Sequence, residues 1–336
     1  MRISVVIPTI GRWLFVKRCL EALKQQQKIK SFEVIIVDDS PSSNMEASLA
    51  PYRTELNLKY IRHNYCQGPG VARNTGASLA EGEVIAFLDD DAIPATDWLY
   101  NGLTLFQKDV GLAMAVGRIV LPPGEPINPL RHVMIFYSGK GFPACNMWVR
   151  RQVFFEVGGF SEQFFDAEKG VYHYEDVDLA LRFIEKKKRV IYAPNLVVFH
   201  PSYPRSWFEP IKMARKAYFE PLLAKRHPKG YAQLRTQRLG PIIIRNARTR
   251  FRWVIALLFL LALVFSGLGL WRVAGITAIL GGIGVICLFL RKCNVQGLRE
   301  LGPFRIILAI FLEFISVYCF IGYQIRGMFK HKYFLF

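Results

Sequence analysis

The first two hundred residues alternate between short apolar runs and longer segments with helical spacing. The runs predicted to form strands are Ile3–Ile7, Val34–Val37, Lys59–Ile61 and 84–88. Residues 12–27 and 70–80 have the polarity and spacing of helices. Such alternation predicts the α/β fold class, with a mostly parallel sheet covered by helices on both faces.

The last third of the chain has a different pattern. Residues 253–271 and 273–290 are uncharged and about as long as a bilayer-spanning helix, and only Arg272 separates them. They predict a tight transmembrane hairpin. A third apolar stretch, 306–325, contains Glu313, which is costly at mid-bilayer. It would either cross or lie at the interface; we expect it to cross, with Glu313 packed against the hairpin.

Charge is distributed very unevenly. The chain carries a net charge of +18; residues 1–204 hold 23 Lys/Arg and 22 Asp/Glu, and residues 205–336 hold 21 and 4. Because the excess cations border apolar spans, we expect a membrane partner and no nucleic acid. The cations flanking the hairpin, which the positive-inside rule places in the cytoplasm, are Arg245, Arg248, Arg250, Arg252, Arg291, Lys292 and Arg299.

The domain organisation follows from these two patterns. The apolar run at Ile3–Ile7 is too short for a signal peptide, so we expect a cytoplasmic front domain and a multi-pass protein of the cytoplasmic membrane. The six cysteines form no CxxC pair and are expected to be reduced thiols. The predicted parts are two halves of an α/β domain (1–95 and 96–204), a basic interfacial segment (205–252) and a transmembrane region (253–336).

The basic segment 205–252 combines 13 Lys/Arg with aromatic and leucine side chains. This composition is typical of helices that lie on an anionic bilayer surface. Such helices would either only anchor the protein or also gather a lipid-linked acceptor at the interface. The sequence leaves both possibilities open.

Polar side chains follow three of the predicted strands. Pro8 and Thr9 follow the first, Asp38 and Asp39 the second, and the triplet Asp89–Asp91 the fourth. Ligands of such sheets bind at the carboxyl ends of strands, so these tips should share one edge. Three adjacent carboxylates favour a divalent cation, Mn²⁺ or Mg²⁺, which would hold an anion such as a diphosphate. A solvated acidic turn is the alternative for the triplet alone.

Each tip has a chemical use in nucleotide binding. Either Asp38 or Asp39 would accept hydrogen bonds from a base imide or from ribose hydroxyls. Asp89 and Asp91, on either side of Asp90, form a D-x-D that would chelate a cation bridging two phosphates. A glycine-rich segment then opens a helix and supplies Arg73 for an anion, although a simple turn and helix start explains the segment as well.

The combined motifs resemble those of the family 2 glycosyltransferases, which have the GT-A fold. They occur in the family's order over residues 1–204: VVIPT (5–9), VDDSP (37–41), GPGVARNTG (68–76), FLDDDAIP (87–94), CNMWVRR (145–151), GGFSE (158–162) and YEDVDLALR (174–182). The resemblance implies a nucleotide-sugar donor, a metal-assisted diphosphate leaving group and inversion at the anomeric carbon.

The resemblance also implies roles for individual residues. Asp176 would be the general base that deprotonates the acceptor, with Glu175 beside it. His200 would join Asp89 and Asp91 as a metal ligand, although a lone histidine after a strand is often structural. The acidic cluster at 175–178 would otherwise only favour the helix dipole. Two further matching positions, expected to shape the sugar pocket and orient carboxylates, are Asn146 and Arg182.

The expected function is transfer of one sugar to a lipid-linked or cell-envelope glycan at the cytoplasmic membrane face. A processive polysaccharide synthase is one alternative, but Thr249–Trp253 departs from the Q-x-x-R-W acceptor motif at its first position, and three apolar spans are few for a channel. A catalytically silent nucleotide-sugar scaffold is another; the candidate metal carboxylates and the candidate base argue against it.

Overall fold

The computed structural model describes residues 1–29, 31–137, 141–204, 206–239, 242–245 and 247–335. The chain divides into two compact units. The first comprises Met1–Pro122 and Met134–Pro201, and the second Pro123–Val133 and Ser202–Phe336. The predicted halves 1–95 and 96–204 thus lie almost entirely in one unit. The excursion Pro123–Val133 into the second unit has no counterpart in the sequence prediction.

The first unit contains a large sheet and its covering helices. Its strands are β1 (Ile3–Thr9), β2 (Phe32–Asp38), β3 (Asn57–Arg62), β4 (Val84–Leu88), β5 (Ile93–Pro94), β6 (Leu112–Val120), β8 (Asn146–Arg150), β9 (Phe165–Asp166), β10 (Val171–Tyr172) and β11 (Arg189–Phe199). Its helices are α1 (Trp13–Lys24), α2 (Glu46–Leu49), α3 (Pro69–Leu79), α4 (Trp98–Lys108), α5 (Arg151–Glu156) and α6 (Glu175–Glu185), with 3-10 turns at Ala50–Thr54 and Glu162–Phe164.

The sheet has eight strands in the order β3-β2-β1-β4-β8-β6-β11-β5. The four strands β3, β2, β1 and β4 are mutually parallel, as the sequence predicted. Beyond them the sheet is mixed, because β8 runs antiparallel to both β4 and β6, and β5 is antiparallel to β11. Because β6 is antiparallel to β8 and parallel to β11, both β6 and β11 run in the same direction as β4. Six of the eight strands thus share one direction, and the expectation of a mostly parallel sheet is confirmed.

Both faces of the sheet are buried, which explains why the strands read as continuous apolar runs. Successive side chains of a strand point to opposite faces. In β1, Val5 and Ile7 belong to one core and Val6 to the other; in β4, Leu88 belongs to the first core and Phe87 to the second. Helices α1 and α4 cover the first face, while α3 and α6 cover the second.

The second unit is mainly helical. Its elements are β7 (Arg131–His132), β12 (Tyr203–Pro204), α7 (Glu209–Ala214), a 3-10 helix (Arg215–Phe219), α8 (Glu220–Arg226), α9 (Pro228–Arg235), β13 (Thr236–Leu239), β14 (Ile242–Arg245), α10 (Ala247–Gly267), α11 (Trp271–Leu290) and α12 (Val295–His331). Within the described residues, α10, α11 and α12 are long and apolar enough to cross a membrane.

Two predicted boundaries in this unit were wrong. Helix α10 ends at Gly267, and Gly269 has a left-handed backbone conformation with φ +76°. The turn therefore precedes Trp271, and Arg272 lies in the first turn of α11. Glycine permits this conformation without a Cβ clash. Helix α12 extends well beyond the predicted 306–325, with a break at Gly302, where φ is 67° and Pro303 follows.

The basic segment 205–252 is more folded than predicted. It forms short helices and the antiparallel pair β13–β14, although residues 205, 240, 241 and 246 lie outside the described part. Its apolar side chains are sorted by exposure. Phe208 is exposed, while Tyr218, Phe219 and Leu223 are buried within the unit instead of facing outward. A surface role for this segment therefore rests on fewer apolar side chains than the sequence indicated.

Candidate active site

The tips of β1 and β4 meet at one edge of the sheet. The parallel register pairs Thr9 with Asp38 on β2 and Val6 with Phe87 on β4. Thr9 Oγ1 consequently donates a hydrogen bond to Asp90 Oδ2 at 2.6 Å. Pro8, which precedes Thr9, is buried inside β1. The two tips that the sequence assigned to the donor site are thus in direct contact.

Arg12, which no sequence motif singled out, contacts two members of the acidic triplet. Arg12 Nε donates to Asp90 Oδ2 at 3.0 Å and Arg12 Nη1 to Asp91 Oδ2 at 3.1 Å. Asp90 is 1% exposed, and burial raises its pKa to about 6 against the opposing charge of Arg12. Asp90 therefore holds Thr9 and Arg12 in place, and its expected contact with the donor stays a prediction.

Asp91 and His200 form the part of the site best suited to a cation. His200 Nε2 lies 3.1 Å from Asp91 Oδ1, and both side chains are buried. Burial opposes protonation of His200, but the hydrogen bond and charge of Asp91 outweigh it and raise the pKa of His200. A carboxylate and an imidazole together are ligands that Mn²⁺ accepts, and Mg²⁺ commonly uses one or two carboxylates plus substrate phosphates.

The third predicted ligand is held elsewhere. Asp89 Oδ1 accepts from Arg73 Nη2 at 2.8 Å, in place of joining Asp91 and His200. Among the residues that the structure describes, no group of three or more His, Cys, Asp or Glu side chains is arranged to hold a metal ion. Asp91 and His200 are residue types that bind such a cation, and donor phosphate and water would fill its remaining coordination positions.

Arg73 links the donor motif to the predicted catalytic motif. Its Nη1 donates to Glu175 Oε1 at 3.3 Å while Nη2 contacts Asp89. The side chain is 5% exposed, and although burial disfavours its charge, Asp89 and Glu175 outweigh that effect and raise the pKa of Arg73. The sequence predicted an anion of the donor as its partner; its partners here are two carboxylates of the protein.

Asp176 lies in the first turn of α6, beside Glu175. Its Oδ2 accepts from the backbone N–H of Ala144 at 3.3 Å, and its Oδ1 from that of Val177 at 2.7 Å. Burial, together with the charge of Glu175, raises the pKa of Asp176 to about 7, although Arg73 opposes the shift. Glu175 accepts a hydrogen bond from Arg73, whereas the hydrogen bonds of Asp176 come from backbone N–H groups. A carboxylate with a pKa near neutrality can accept a proton at physiological pH.

The two carboxylates after β2 are engaged with the protein itself. Asp38 accepts from Ser40 N at 3.2 Å and from Tyr60 Oη at 3.0 Å. Asp39 accepts from Gly68 N at 2.7 Å and contacts His63 Nδ1 at 2.8 Å. Both carboxylates are buried. Asp39 thereby fixes the loop that leads into α3, in addition to any contact with a base or ribose.

Asn146 was expected to shape the sugar pocket; that role stays a prediction, and the structure shows its side chain bound to protein groups. It is fully buried, its Nδ2 donates to Leu196 O at 2.8 Å and to Arg118 O at 3.0 Å, and its Oδ1 accepts from Trp98 Nε1 at 2.9 Å. A fully satisfied buried amide of this kind locks neighbouring strands together. Its apolar surroundings could have been expected, since it begins the apolar strand β8.

Arg182, which was expected to orient a carboxylate, forms an ion pair with one. Its Nε donates to Asp178 Oδ2 at 2.9 Å, and its Nη1 donates to Val157 O at 2.6 Å. Tyr174, directly before α6, has φ +72°, a conformation that a bulky residue seldom adopts. This backbone kink turns the chain into α6 immediately before Glu175. No sequence pattern signalled it, whereas Arg12 could have been found by its position just beyond the β1 tip.

Comparisons with known proteins agree with this architecture. Residues 4–171 match the family model described as glycosyl transferase family 2. A pre-mycofactocin glycosyltransferase of Mycobacterium tuberculosis is 29% identical over 69% of this chain, and the match spans only 49% of that relative's length. A GalNAc(5)-diNAcBac-PP-undecaprenol beta-1,3-glucosyltransferase of Campylobacter jejuni is 29% identical over 50% of this chain and 52% of its own.

A solved structure extends the similarity to the fold. The mannosyltransferase PcManGT from Pyrobaculum calidifontis, solved in complex with GDP-Man and Mn2+, matches with a TM-score of 0.51. It is 15% identical and covers 98% of this chain and 86% of its own, so it bears on the fold alone. The family match covers half of the sequence and includes the tips of β1, β2 and β4, whereas Asp176 and His200 lie beyond it. The chain belongs to glycosyl transferase family 2.

Proposed function

We propose that this protein is a metal-dependent, inverting glycosyltransferase. It moves a sugar from a nucleotide-sugar donor to a lipid-linked or cell-envelope glycan acceptor at the cytoplasmic face of the membrane. The observation that carries the proposal is that two carboxylates of the first unit have different surroundings. Asp91 contacts His200, while Asp176 sits at a helix start with a pKa raised to about 7.

Asp176 is the proposed general base. One of its carboxylate oxygens takes the proton of the acceptor hydroxyl as that oxygen attacks the sugar C1. The bond from C1 to the donor phosphate oxygen breaks, and its electron pair leaves with the nucleoside diphosphate. Attack from the face opposite the leaving group inverts the anomeric carbon. The neighbouring Glu175 accepts a hydrogen bond from Arg73, and in this proposal it supports Asp176 without taking the proton.

Asp91 and His200 are the proposed residues for a divalent cation, Mn²⁺ or Mg²⁺. When bound, such an ion neutralises the charge that develops on the diphosphate leaving group. Arg12 already contacts Asp91 and Asp90, so this chain supplies one fixed cation beside the carboxylates. Arg12 therefore keeps the acidic triplet compact before a donor arrives.

The membrane setting rests on the second unit. Helices α10 and α11 have the length and hydropathy of membrane spans, and their side chains are largely exposed and apolar. The undecaprenol-linked substrate in the name of the Campylobacter relative supports a lipid-linked acceptor for this chain as well. The basic segment 205–252 is then the part expected to lie nearest the lipid headgroups.

The test compares two conservative variants of neighbouring carboxylates. Asp176→Asn should bind the donor normally, while turnover falls by about 10²–10⁴, the usual contribution of a general base. Glu175→Gln, the matched control, should lower turnover less. Initial rates and donor affinity are measured for both variants. The opposite ranking, with donor affinity intact, would assign the base to Glu175.

Two alternative functions are separated by simple assays. A processive synthase would extend a primer by many sugars, whereas the proposed enzyme adds one, so product length on a defined primer distinguishes them. Trp253, the last residue of the Q-x-x-R-W-like segment, donates to Gln324 Oε1 at 2.8 Å inside the second unit.

A silent scaffold would leave the donor intact in the presence of Mn²⁺, whereas an active enzyme hydrolyses it slowly.

A further inference from the structure

The position of α12 against the hairpin bears on its place in the membrane. Helices α10 and α11 pack antiparallel: a Cβ built on Gly284 would lie 2.7 Å from Ile255 Cγ1, and one built on Gly281 would lie 2.9 Å from Phe259 Cε2. The start of α10 and the end of α11 therefore lie at the same end of the hairpin. We call this end the hairpin base and define it as residues 251–259 and 281–293.

Helix α12 meets the hairpin base at two widely separated points. Glu313 accepts from Lys292 Nζ at 2.7 Å, just past the end of α11. Gln324 accepts from Trp253 Nε1 at 2.8 Å, near the start of α10. The two α12 residues are about 16 Å apart along the helix axis. Both partners nevertheless belong to the base, one on each side of the hairpin.

The apolar side chains of α12 between these two points also pack against the hairpin base. Val317 and Ile321 of α12 share a core with Ile255, Val285 and Leu288 of the base. A third spanning helix alongside the hairpin would carry Gln324 about 16 Å further toward the turn at Gly269 than Glu313. The observed contacts instead carry α12 across the base from one side to the other.

The C-terminal part of α12 is also tied to the start of α10. Glu220 of α8, which is 1% exposed, accepts from Gln324 Nε2 at 2.8 Å and from Thr249 Oγ1 at 3.3 Å. Lys225 Nζ donates to His331 O at 2.9 Å. Thr249 lies in the first turn of α10, so the end of α12 is at the level where α10 enters the membrane.

We infer that α12 from Pro303 onward lies in the plane of the membrane, in its cytoplasmic leaflet, and does not cross the bilayer. This replaces the expectation that 306–325 crosses, and it rests on the membrane location in the proposed function. Glu313 then sits with Lys292 near the interface, where a charged pair costs less than at mid-bilayer. Arg326, Lys330 and Lys332 remain on the cytoplasmic side, as the positive-inside rule requires.

The partner of the outward face of α12 is lipid. Exposed apolar side chains recur along it at intervals of three, four, seven and eleven residues, which places them on one face of the helix. They are Phe304, Ile307, Phe311, Tyr318 and Phe329. The opposite face is packed against the second unit and includes Ala309, Leu312, Ser316 and Gly327. The stripe is an apolar surface of the same kind as the exposed side chains of α10 and α11, so acyl chains of the cytoplasmic leaflet fit it.

Cysteine accessibility separates this inference from the proposed location. In full-length protein whose six cysteines are replaced, and which retains transferase activity, Arg272→Cys and Phe334→Cys are probed with a membrane-impermeant maleimide from each side. We expect labelling at 272 from outside and at 334 from the cytoplasm. Labelling at both positions from outside would overturn the in-plane helix alone. Cytoplasmic labelling at 272 would overturn the membrane location and, with it, the inference.

Depth measurements test the orientation of α12 directly. Spin labels are placed at Phe304, Phe311, Tyr318 and Phe329 in liposomes, and collision with oxygen is compared with collision with a polar nickel complex. An in-plane helix gives nearly equal depths at the four positions, whereas a crossing helix gives a maximum in the middle of the series. Labels at Ile279, Ile286 and Leu290 of α11 provide the crossing control. A crossing-type profile along α12 would overturn the inference.

Discussion

At the scale of single residues, the candidate site is sorted by what each carboxylate contacts. Glu175 and Asp89 meet Arg73, and Asp90 meets Arg12 and Thr9. Asp176 accepts from backbone N–H groups, and burial raises its pKa to about 7. The carboxylates that accept from arginines and the carboxylate that accepts from backbone N–H groups therefore have different partners within one site.

The raised pKa of Asp176 predicts the acid side of the pH profile. Below pH about 7 the carboxyl is protonated and cannot take the acceptor's proton, so kcat/KM should fall about tenfold for each pH unit. Above that pH the base is ionised and this limb disappears. The kcat/KM of Glu175→Gln should still fall on the acid side of the pH profile, whereas the residual activity of Asp176→Asn should not. A limb near the ordinary Asp value, about 4, would contradict the assignment.

Metal dependence is a second prediction for individual residues. EDTA should abolish transfer and added Mn²⁺ or Mg²⁺ should restore it. Asp91→Ala should remain inactive at any metal concentration, while His200→Ala should need at least about tenfold more metal for half-maximal rate. Asp97→Ala, an exposed carboxylate on the next loop, is the control and should behave as wild type. Full activity of the wild type in EDTA would refute the proposed cation site.

At the scale of elements, Arg73 joins α3 to α6 and to the tip of β4. Arg73→Met leaves Asp89 and Glu175 without their cation, and breaking such a buried pair typically costs about 3–5 kcal/mol of folding free energy. This loss of folding free energy is an upper estimate, because the Asp89 side chain is 23% exposed. Arg2→Met, which breaks an exposed pair with Glu81, should cost less than about 1 kcal/mol.

The free energy of unfolding of each variant, from urea titrations in matched detergent, tests this prediction. Arg73→Lys keeps the charge but cannot reach both carboxylates with a planar fork, so it should fall between Arg73→Met and wild type. Equal stabilities for Arg73→Met and Arg2→Met would mean that the link between α3 and α6 contributes little.

At the scale of the whole molecule, the second unit contains an ion pair among apolar helices, in which the carboxylate is buried and the ammonium is partly exposed. Glu313 is fully buried against Lys292. Lys292→Met should lower the melting temperature, since it leaves the buried Glu313 carboxylate without its cation, and Glu313→Gln should lower it less, since Lys292 is partly exposed. The double variant Lys292→Met/Glu313→Leu should recover most of the loss. Arg291→Gln, at the exposed neighbouring position, should have little effect; thermal unfolding of the purified full-length protein measures all four.

The sequence alone determined the local elements and their order. Strands β1 to β4 form where apolar runs were recognised, because a run without polar residues fits a strand buried on both faces. Helices α1, α3 and α6 follow their polarity and spacing. The meeting of Thr9 with the acidic triplet was also predictable, since parallel strands carry their carboxyl ends to one edge.

Only the tertiary structure decided the partner of each polar group. Arg12 and Asp90 are 78 positions apart, and Arg73 and Glu175 are 102 apart, so no local pattern could pair them. Asn146 matches a family position in the sequence, but three hydrogen bonds to two other strands and a helix hold its side chain inside the first unit. The hydropathy of 306–325 gives its length and not its direction; the contacts of Glu313 and Gln324 with opposite sides of the hairpin base supply the direction. Periodicity depends on neighbours along the chain, whereas charge pairing and helix orientation depend on neighbours in space.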